Sequence, residues 1–160
     1  MRVFACLLWA TAAVCGFALT PAHAVEVLSL DGETSATGLG HHSVYLADPN
    51  AELTFASARE LLQDGQFQPV GERNFDPGYS ITPHWIATTV QNDAPEVTEY
   101  RVLSHLPFAP AMSVMLIRKN QQTEMLLDKQ LDTPWRADQH LSLAVTTSPV
   151  NLASGEQAIL

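Results

Sequence analysis

Residues 112–119 read MSVMLIRK, and the part from Met112 to Ile117 is largely apolar on both of the faces that a strand would present. Successive side chains of a β-strand point to opposite sides of a sheet, so such a segment has to be covered on both sides. A polar turn sequence, Asn120-Gln121-Gln122, follows it. The segment therefore predicts a central strand, and a fold organised around a β-sheet.

Segments of similar character lie on both sides of this strand in the sequence. They are rich in Val, Ile, Leu, Thr, Tyr and Trp, the residues that strands favour, and prolines stand in the connections between them. Five or more strands at short spacing, with one small helix, are typical of a jelly-roll sandwich. We therefore predict an all-β fold, a jelly-roll β-sandwich with one short helix. The predicted strands are residues 25–30, 43–47, 80–91, 98–106, 112–119, 123–127 and 140–147.

The alternation of residues along these strands also predicts the core. Residues an even number of positions apart share one face of a strand, as Ile86 and Val90 do, so one face of each strand can be assigned to the interior. The residues that we expect in the core are Ile86, Val90, Val102, Leu106, Val114 and Leu116.

One segment has a helical period instead. Phe55, Ala58, Leu61 and Leu62 fall on one face of a helix, at positions i, i+3, i+6 and i+7. Thr54 can cap the N-terminus, and the pair at residues 64–65, Asp-Gly, supplies a stop. We predict a helix over residues 55–63 that packs at one edge of the sandwich.

The first two dozen residues have the pattern of an export signal. Arg2 is followed by an almost uninterrupted apolar run over residues 3–19, then by Pro21 and the small-x-small sequence Ala22-His23-Ala24. The alternative, an uncleaved membrane anchor, fits less well because the run is short and no basic residue follows it. We predict cleavage after Ala24, export to the periplasm, and a mature chain of 136 of the 160 residues.

Composition excludes several classes of function. Cleavage would remove both cysteines and Arg2, which leaves seven Lys and Arg against seventeen Asp and Glu, a net charge of −10. This charge argues against nucleic acid and anionic membranes as partners. No nucleophile elbow, zinc motif or phosphate loop occurs, and the neighbours His41 and His42 would point apart on an extended chain. We therefore predict no catalytic residues, no metal site and no cofactor.

Aromatic residues give the best hint of a ligand site. Sandwich domains that bind sugars commonly stack them on an aromatic ring at an exposed face or rim, with the indole N–H kept in a polar setting. Trp135 lies in a connection with Arg136 and Asp138 nearby, and Trp85 lies on a strand. We expect Trp135, Arg136 and Asp138 to contact a carbohydrate or other small polar ligand, with Trp85 as the second candidate.

Short motifs occur along the chain in a characteristic order. They are Tyr45-Leu46-Ala47-Asp48-Pro49, Leu53-Thr54-Phe55, Phe67-Gln68-Pro69, Asn74-Phe75, Gly78-Tyr79, Trp85-Ile86, Thr89-Val90 and Asn92. Together they resemble the type 2 extracellular domain of the 7TMR-DISM proteins, bacterial seven-transmembrane receptors with diverse intracellular signalling modules. The resemblance implies a periplasmic jelly-roll sensor domain for carbohydrate-like or other small ligands. In that family the domain normally precedes seven membrane helices and an output such as a histidine kinase or a diguanylate cyclase.

The chain departs from the family pattern at two places. After Trp85-Ile86 the family usually carries a basic residue and then a large apolar one, where this chain has Ala87 and Thr88. Residues 152–160 resemble the turn and the opening of the last family strand. We therefore expect this strand to be incomplete, and the chain to be a fragment without membrane helices or output domain.

The sequence as a whole predicts a signal peptide over residues 1–24 and a periplasmic sensor-type β-sandwich over residues 25–160. Its expected role is ligand sensing for a membrane signalling receptor, without enzymatic activity. Two alternatives stay open. One is a free periplasmic carbohydrate-binding module, and the other is a carbohydrate-active enzyme, whose paired carboxylates are assembled by the fold rather than by a sequence motif.

Overall fold

A computed structural model describes residues 26–33, 37–78, 80–104, 111–129 and 145–160 of the chain. The predicted signal peptide lies outside these residues, as do Leu106 and most of the strand predicted over residues 140–147.

The described residues form short strands and one α-helix. The helix is α1 (Phe55–Gln63), and a single 3-10 turn spans Gly40–His42. The strands are β1 (Leu28–Leu30), β2 (Ser43–Ala47), β3 (Gln68–Pro69), β4 (His84–Asn92), β5 (Thr98–Tyr100), β6 (Leu103–Ser104), β7 (Met112–Arg118), β8 (Thr123–Lys129), β9 (Val145–Thr146), β10 (Val150–Leu152) and β11 (Gln157–Ile159).

One large sheet dominates the fold, with the strand order β3-β2-β4-β11-β7-β8, and β1 pairs with β4 in parallel. Two small antiparallel pairs, β10-β5 and β6-β9, complete the described strands. The predicted all-β sandwich with one short helix is therefore confirmed, whereas its jelly-roll connectivity stays a prediction. β7 lies inside the large sheet between β11 and β8, as its apolar faces predicted.

Strand β4 organises the large sheet because it pairs along its whole length. The backbone of Thr88 exchanges hydrogen bonds of 2.9 Å with Leu160 on the side of β11. On the other side of β4, β2 pairs with residues 84–88 and β1 pairs with residues 90–92, so these two strands lie end to end. This arrangement divides β4 into a first half beside β2 and a second half beside β1 and β11.

The core lies between the second half of β4 and the strand β10. Val90 and Ala158 are cross-strand partners and so share the inner face of the large sheet. Against this face pack Val150 and Leu152, and Tyr100 of β5 closes the side. The buried cluster consists of Leu28, Val90, Leu116, Leu126, Val150, Leu152 and Ala158.

The predicted core residues have mixed outcomes. Val90 and Leu116 are buried, Val114 is half-buried against the core, and Val102 is half-buried. The prediction for Ile86 is wrong, because 45% of this residue is exposed. It shares the inner face with Val90, but it lies in the first half of β4, and the buried cluster lies along the second half.

The strand predicted over residues 98–106 is interrupted between β5 and β6. At the break, the backbone N–H of Val102 donates to the hydroxyl of Thr147 at 3.1 Å, and the backbone N–H of Thr147 donates to the Val102 carbonyl at 3.0 Å. Thr147 is buried, so its hydroxyl takes the place of a backbone acceptor inside the protein. A hydrogen bond to the Thr147 side chain thus replaces one backbone–backbone hydrogen bond of the sheet, and the predicted strand is divided into β5 and β6 at this point.

Asn92, at the end of β4, is fully buried and joins three strands through its side-chain amide. Its Nδ2 donates to the carbonyl oxygens of Leu152 at 2.8 Å and Glu96 at 3.0 Å. Its Oδ1 accepts from the hydroxyl of Tyr100 at 2.8 Å and from the N–H of Ala94 at 3.1 Å. All four hydrogen-bonding positions of the amide are therefore used.

The helix α1 has the predicted bounds and the predicted cap. The N–H of Ser57 donates to the hydroxyl of Thr54 at 3.2 Å, and the N–H of Thr54 donates to the hydroxyl of Ser57 at 2.8 Å. Gly65 follows the helix with φ of 69°. Leu62 lines a shallow cleft with Ile117 and Ile159. The helix therefore lies along the outer face of the large sheet, opposite the core.

Candidate functional site

The inner face of the large sheet continues beyond the core, along β2 and the first half of β4. Cross-strand partners share a face, and Tyr45 is paired with Ile86, and Ala47 with His84. These four residues lie on the same side as Thr88, which is buried. The sheet therefore presents a stretch of inner face that the buried cluster does not cover.

An open cleft of about 400 Å³ occupies this stretch, between the sheet and the loop over residues 70–77. Its size is within the range of small-ligand sites. Three rings, two carboxylates and one amide line it, from Tyr45, Phe75, His84, Glu72, Asp76 and Asn74.

The three rings form a corner at one end of this cleft. The centroids of Tyr45 and Phe75 are 5.2 Å apart, those of Phe75 and His84 are 5.2 Å apart, and those of Tyr45 and His84 are 6.5 Å apart. The ring planes are inclined to each other by 50°, 62° and 43° respectively. These spacings are those of interacting aromatic pairs, so the rings support each other as one unit.

The charge at the cleft is negative. Glu72 and Asp76 are exposed, and none of the described residues that line the cleft is Lys or Arg. Arg73 lies between them in sequence, but its side chain runs along Gly38, where an added Cβ would meet its Cγ at 3.1 Å. The cleft therefore suits a neutral or positively charged ligand better than an anion.

Gly40 positions the loop that closes the cleft. Its N–H donates to the carbonyl of Arg73 at 3.0 Å, and the N–H of Val70 donates to the carbonyl of Ser43 at 3.0 Å. A Cβ on Gly40 would lie 2.2 Å from the carbonyl oxygen of Glu72, a backbone atom that no rotamer change can move. Only glycine permits this approach.

Replacing Gly40 with Ala is expected to push the loop away from the 3-10 turn and to cost about 1–3 kcal/mol in the free energy of unfolding, the usual cost of overpacking. Urea unfolding measures the cost, and amide hydrogen exchange should rise over residues 70–77 while β7 stays protected. Gly38→Ala is the matched control because most of its close contacts are with the flexible side chain of Arg73. Equal effects of the two substitutions would contradict this role of Gly40.

Trp85 lies on the other face of the large sheet, where it is the cross-strand partner of Leu46. It is half-buried, and its side chain hydrogen-bonds with the carboxylate of Asp48. That carboxylate also accepts from the backbone N–H groups of Glu52 at 3.1 Å and Leu53 at 3.0 Å. The indole is therefore held by the turn that precedes α1, away from the cleft.

The pKa of Asp48 is lower than its ordinary value of 3.8. Burial acts to raise it, but the hydrogen bonds from Leu53, Glu52, Trp85 and Ala51 lower it further than burial raises it. Because the folded-state pKa is depressed, the stabilising contribution of Asp48 is complete above 3.8 and is lost as the pH falls through the folded-state pKa.

The stability difference between the natural chain and Asp48→Asn should therefore be largest near neutral pH and should shrink in acid. Urea unfolding at several pH values measures this difference. Asp64→Asn, an exposed change at the end of α1, serves as the control for replacing a carboxylate by an amide. A difference for Asp48→Asn that stays constant below pH 3.8 would contradict the assignment.

The remaining predicted ligand residues, Trp135, Arg136 and Asp138, lie outside the described residues. The positions that depart from the family pattern are both buried: Ala87 lies on the outer face as the partner of Val44, and the hydroxyl of Thr88 is 2.6 Å from that of Ser43.

The rings of the cleft are functional candidates that reasoning from the sequence missed. In the sequence, Tyr45 and Phe75 are parts of the ordered motifs, and His84 lies within the strand predicted over residues 80–91. Their sequence separation hides them, since pairing between β2 and β4 is what brings them together. The motif order was the one available signal.

Three general observations concern the described part of the chain. It holds no group of three or more His, Cys, Asp or Glu residues placed to bind a metal ion. The 3-10 turn, rather than the expected extended chain, carries His41 and His42. Among the described residues, no helix has the length and apolar character needed to cross a membrane.

Comparison with known proteins identifies the family. The family model of 7TMR-DISM extracellular 2 matches residues 40–157, well over half of the chain. No curated protein and no solved structure matches the chain significantly. The matched range contains β2, β4 and every described residue of the cleft. The chain therefore belongs to the 7TMR-DISM extracellular 2 family, whose name and domain type indicate an extracellular sensor domain of signalling receptors.

Proposed function

We propose that this chain is the ligand-sensing input domain of a bacterial membrane signalling receptor of the histidine kinase or diguanylate cyclase type. It is exported to the periplasm after removal of residues 1–24, and it recognises a carbohydrate or another small polar ligand. Family membership supports the sensor role. The observation that carries the ligand proposal is the cleft of about 400 Å³ lined by Tyr45, Phe75 and His84.

The chemistry of the cleft suits a small polar molecule. Aromatic rings cover the apolar side of such a ligand, and the carboxylates of Glu72 and Asp76 with the amide of Asn74 can pair with its hydroxyl or amine groups. Because the cleft is open to solvent, we expect modest affinity, in the micromolar to millimolar range, about −8 to −4 kcal/mol. We also propose that a ligand contacts Trp135, Arg136 and Asp138, with Trp85 as the second candidate.

The test of this function is a glycan array together with calorimetric titration of small polar ligands into the exported chain. A ligand that binds the natural chain should bind about five- to tenfold more weakly to Tyr45→Ala, because loss of ring contact costs about 1–1.4 kcal/mol. Glu60→Gln, an exposed change on α1 at the opposite face, is the control for the cleft and should bind like the natural chain. A folded chain that binds nothing would overturn the proposal.

Two other functions are separated from this one by simple observations. Genomic sequence downstream of residue 160 that encodes seven apolar spans and an output domain supports the receptor, whereas a stop codon there supports a free carbohydrate-binding module. Glu72 and Asp76 share one cleft, so a carbohydrate-active enzyme is the third candidate. Bound glycan recovered unchanged after long incubation would exclude that activity for the ligand tested.

A further inference from the structure

We propose that the cleft is selective for a small organic cation, a ligand that carries a quaternary or primary ammonium group. This proposal rests on the proposed ligand-sensing function and names its ligand class. The ammonium group sits in the corner formed by Tyr45, Phe75 and His84, with the carboxylates of Glu72 and Asp76 at the rim.

The aromatic wall of the cleft is not flat. A sugar ring stacks best on one flat aromatic face, but these three rings are inclined to each other by 43° to 62°. Rings at such angles do not form one flat platform. A roughly spherical ammonium group can contact more than one ring at a corner, as in the aromatic cages that bind quaternary ammonium ligands.

The negative charge of the cleft also favours a cation. The cleft carries the side chains of Glu72 and Asp76, and Arg73, the cation in the same loop, lies against Gly38 instead. A cation in the cleft would therefore meet attraction from both carboxylates and from the electron-rich ring faces, without a resident cation in competition. The whole chain, with a net charge of −9, adds to this attraction at long range.

The three rings are also held in place by the strands and the loop that carry them. Tyr45 and His84 lie on strands that are paired over five consecutive residues, and Phe75 lies in the loop that Gly40 fixes through Arg73. A site of this kind is largely formed before the ligand arrives, so little binding free energy is lost to the ordering of side chains and loops. The corner is therefore suited to discriminate by charge.

The experiment compares choline with 3,3-dimethylbutan-1-ol, which has the same shape without the charge. Both are titrated calorimetrically into the full exported chain at constant ionic strength. We expect choline to bind in the micromolar to millimolar range, and the neutral alcohol at least about tenfold more weakly, a difference of about 1.4 kcal/mol.

Variants place the site. Phe75→Leu keeps an apolar side chain but removes a ring, and the double change of Glu72→Gln with Asp76→Asn removes the charge; each should weaken choline binding about tenfold. Glu60→Gln, on α1 at the opposite face, is the matched control and should leave binding unchanged. Circular dichroism melting shows whether each variant is folded, and the exposed carboxylate variants are expected to fold even if Phe75→Leu does not.

The outcomes separate this proposal from the general one. Equal binding of choline and the neutral alcohol overturns cation selectivity and leaves a ligand cleft in place. Failure of choline to bind, while a glycan binds and is lost in Tyr45→Ala, overturns the cation class and supports the sensor function. Choline binding that the double carboxylate variant retains in full overturns the site. Binding of neither choline nor any glycan overturns both proposals.

Discussion

Replacing Asn92 with Ala is expected to lower the free energy of unfolding by about 3–4 kcal/mol. The substitution removes four side-chain hydrogen bonds, two of them buried and two partly buried, and leaves the carbonyls of Leu152 and Glu96 without their amide donor. A hydrogen bond contributes about 1 kcal/mol, and a buried polar group left unpaired costs about 1–3 kcal/mol. This loss is a large part of the 5–15 kcal/mol by which domains of this kind are stable. Urea unfolding followed by circular dichroism measures it.

Asn151→Ala is the matched control for this experiment. Asn151 is exposed on β10, one residue before Leu152, so its loss should change the free energy of unfolding by no more than about 0.5 kcal/mol. Asn92→Asp adds a sharper comparison, because it keeps the size of the side chain but replaces the amide donor with a carboxylate that faces two carbonyls. If Asn92→Ala and Asn151→Ala cost the same, the amide does not join the strands as described.

Replacing Leu116 with Ala is expected to cost about 2–4 kcal/mol, since deletion of buried aliphatic atoms leaves a cavity that the surroundings fill only in part. Leu116 is completely buried in the middle of β7 and belongs to the core cluster between the sheet and β10. Thermal or urea unfolding gives the value directly.

Two comparisons make this test specific. Val114→Ala, on the same face of β7 but only half-buried, should cost less than Leu116→Ala. Ile86→Ala should cost clearly less than either core change, because 45% of Ile86 is already exposed. A cost for Ile86→Ala as large as that for Leu116→Ala would show that the core extends over the first half of β4, against the structure.

Elements with strong local signals were predicted well from the sequence. The helix over residues 55–63 and the strand over residues 43–47 have the predicted bounds, because caps, period and turn residues act within a few positions of each other. The central position of β7 followed from apolar side chains on both faces. Each of these signals is contained in one short segment.

The core was predicted less completely. Alternation along β4 assigned Ile86 and Val90 to the same face, and this assignment agrees with the strand pairing. It could not show that the opposing layer covers Val90 and stops before Ile86, since that extent depends on where β10 lies. Asn92 could not be predicted as a buried residue either. Ala94, Glu96 and Tyr100 follow it closely in the sequence, but Leu152 is 60 residues away, and only the tertiary structure brings β10 to the amide.

The sequence by itself determined the class of the fold, its helix, its central strand and its family, since hydrophobic period and motif order are properties of the linear chain. The tertiary structure alone decided the candidate site. Tyr45 and His84 meet because β2 pairs antiparallel with β4 in one register, and a shift of that register by one residue would put either strand's side chains on the other face. Phe75 joins them because Gly40 lets the loop approach closely. Register and close approach are long-range contacts, and no local pattern of residues encodes them.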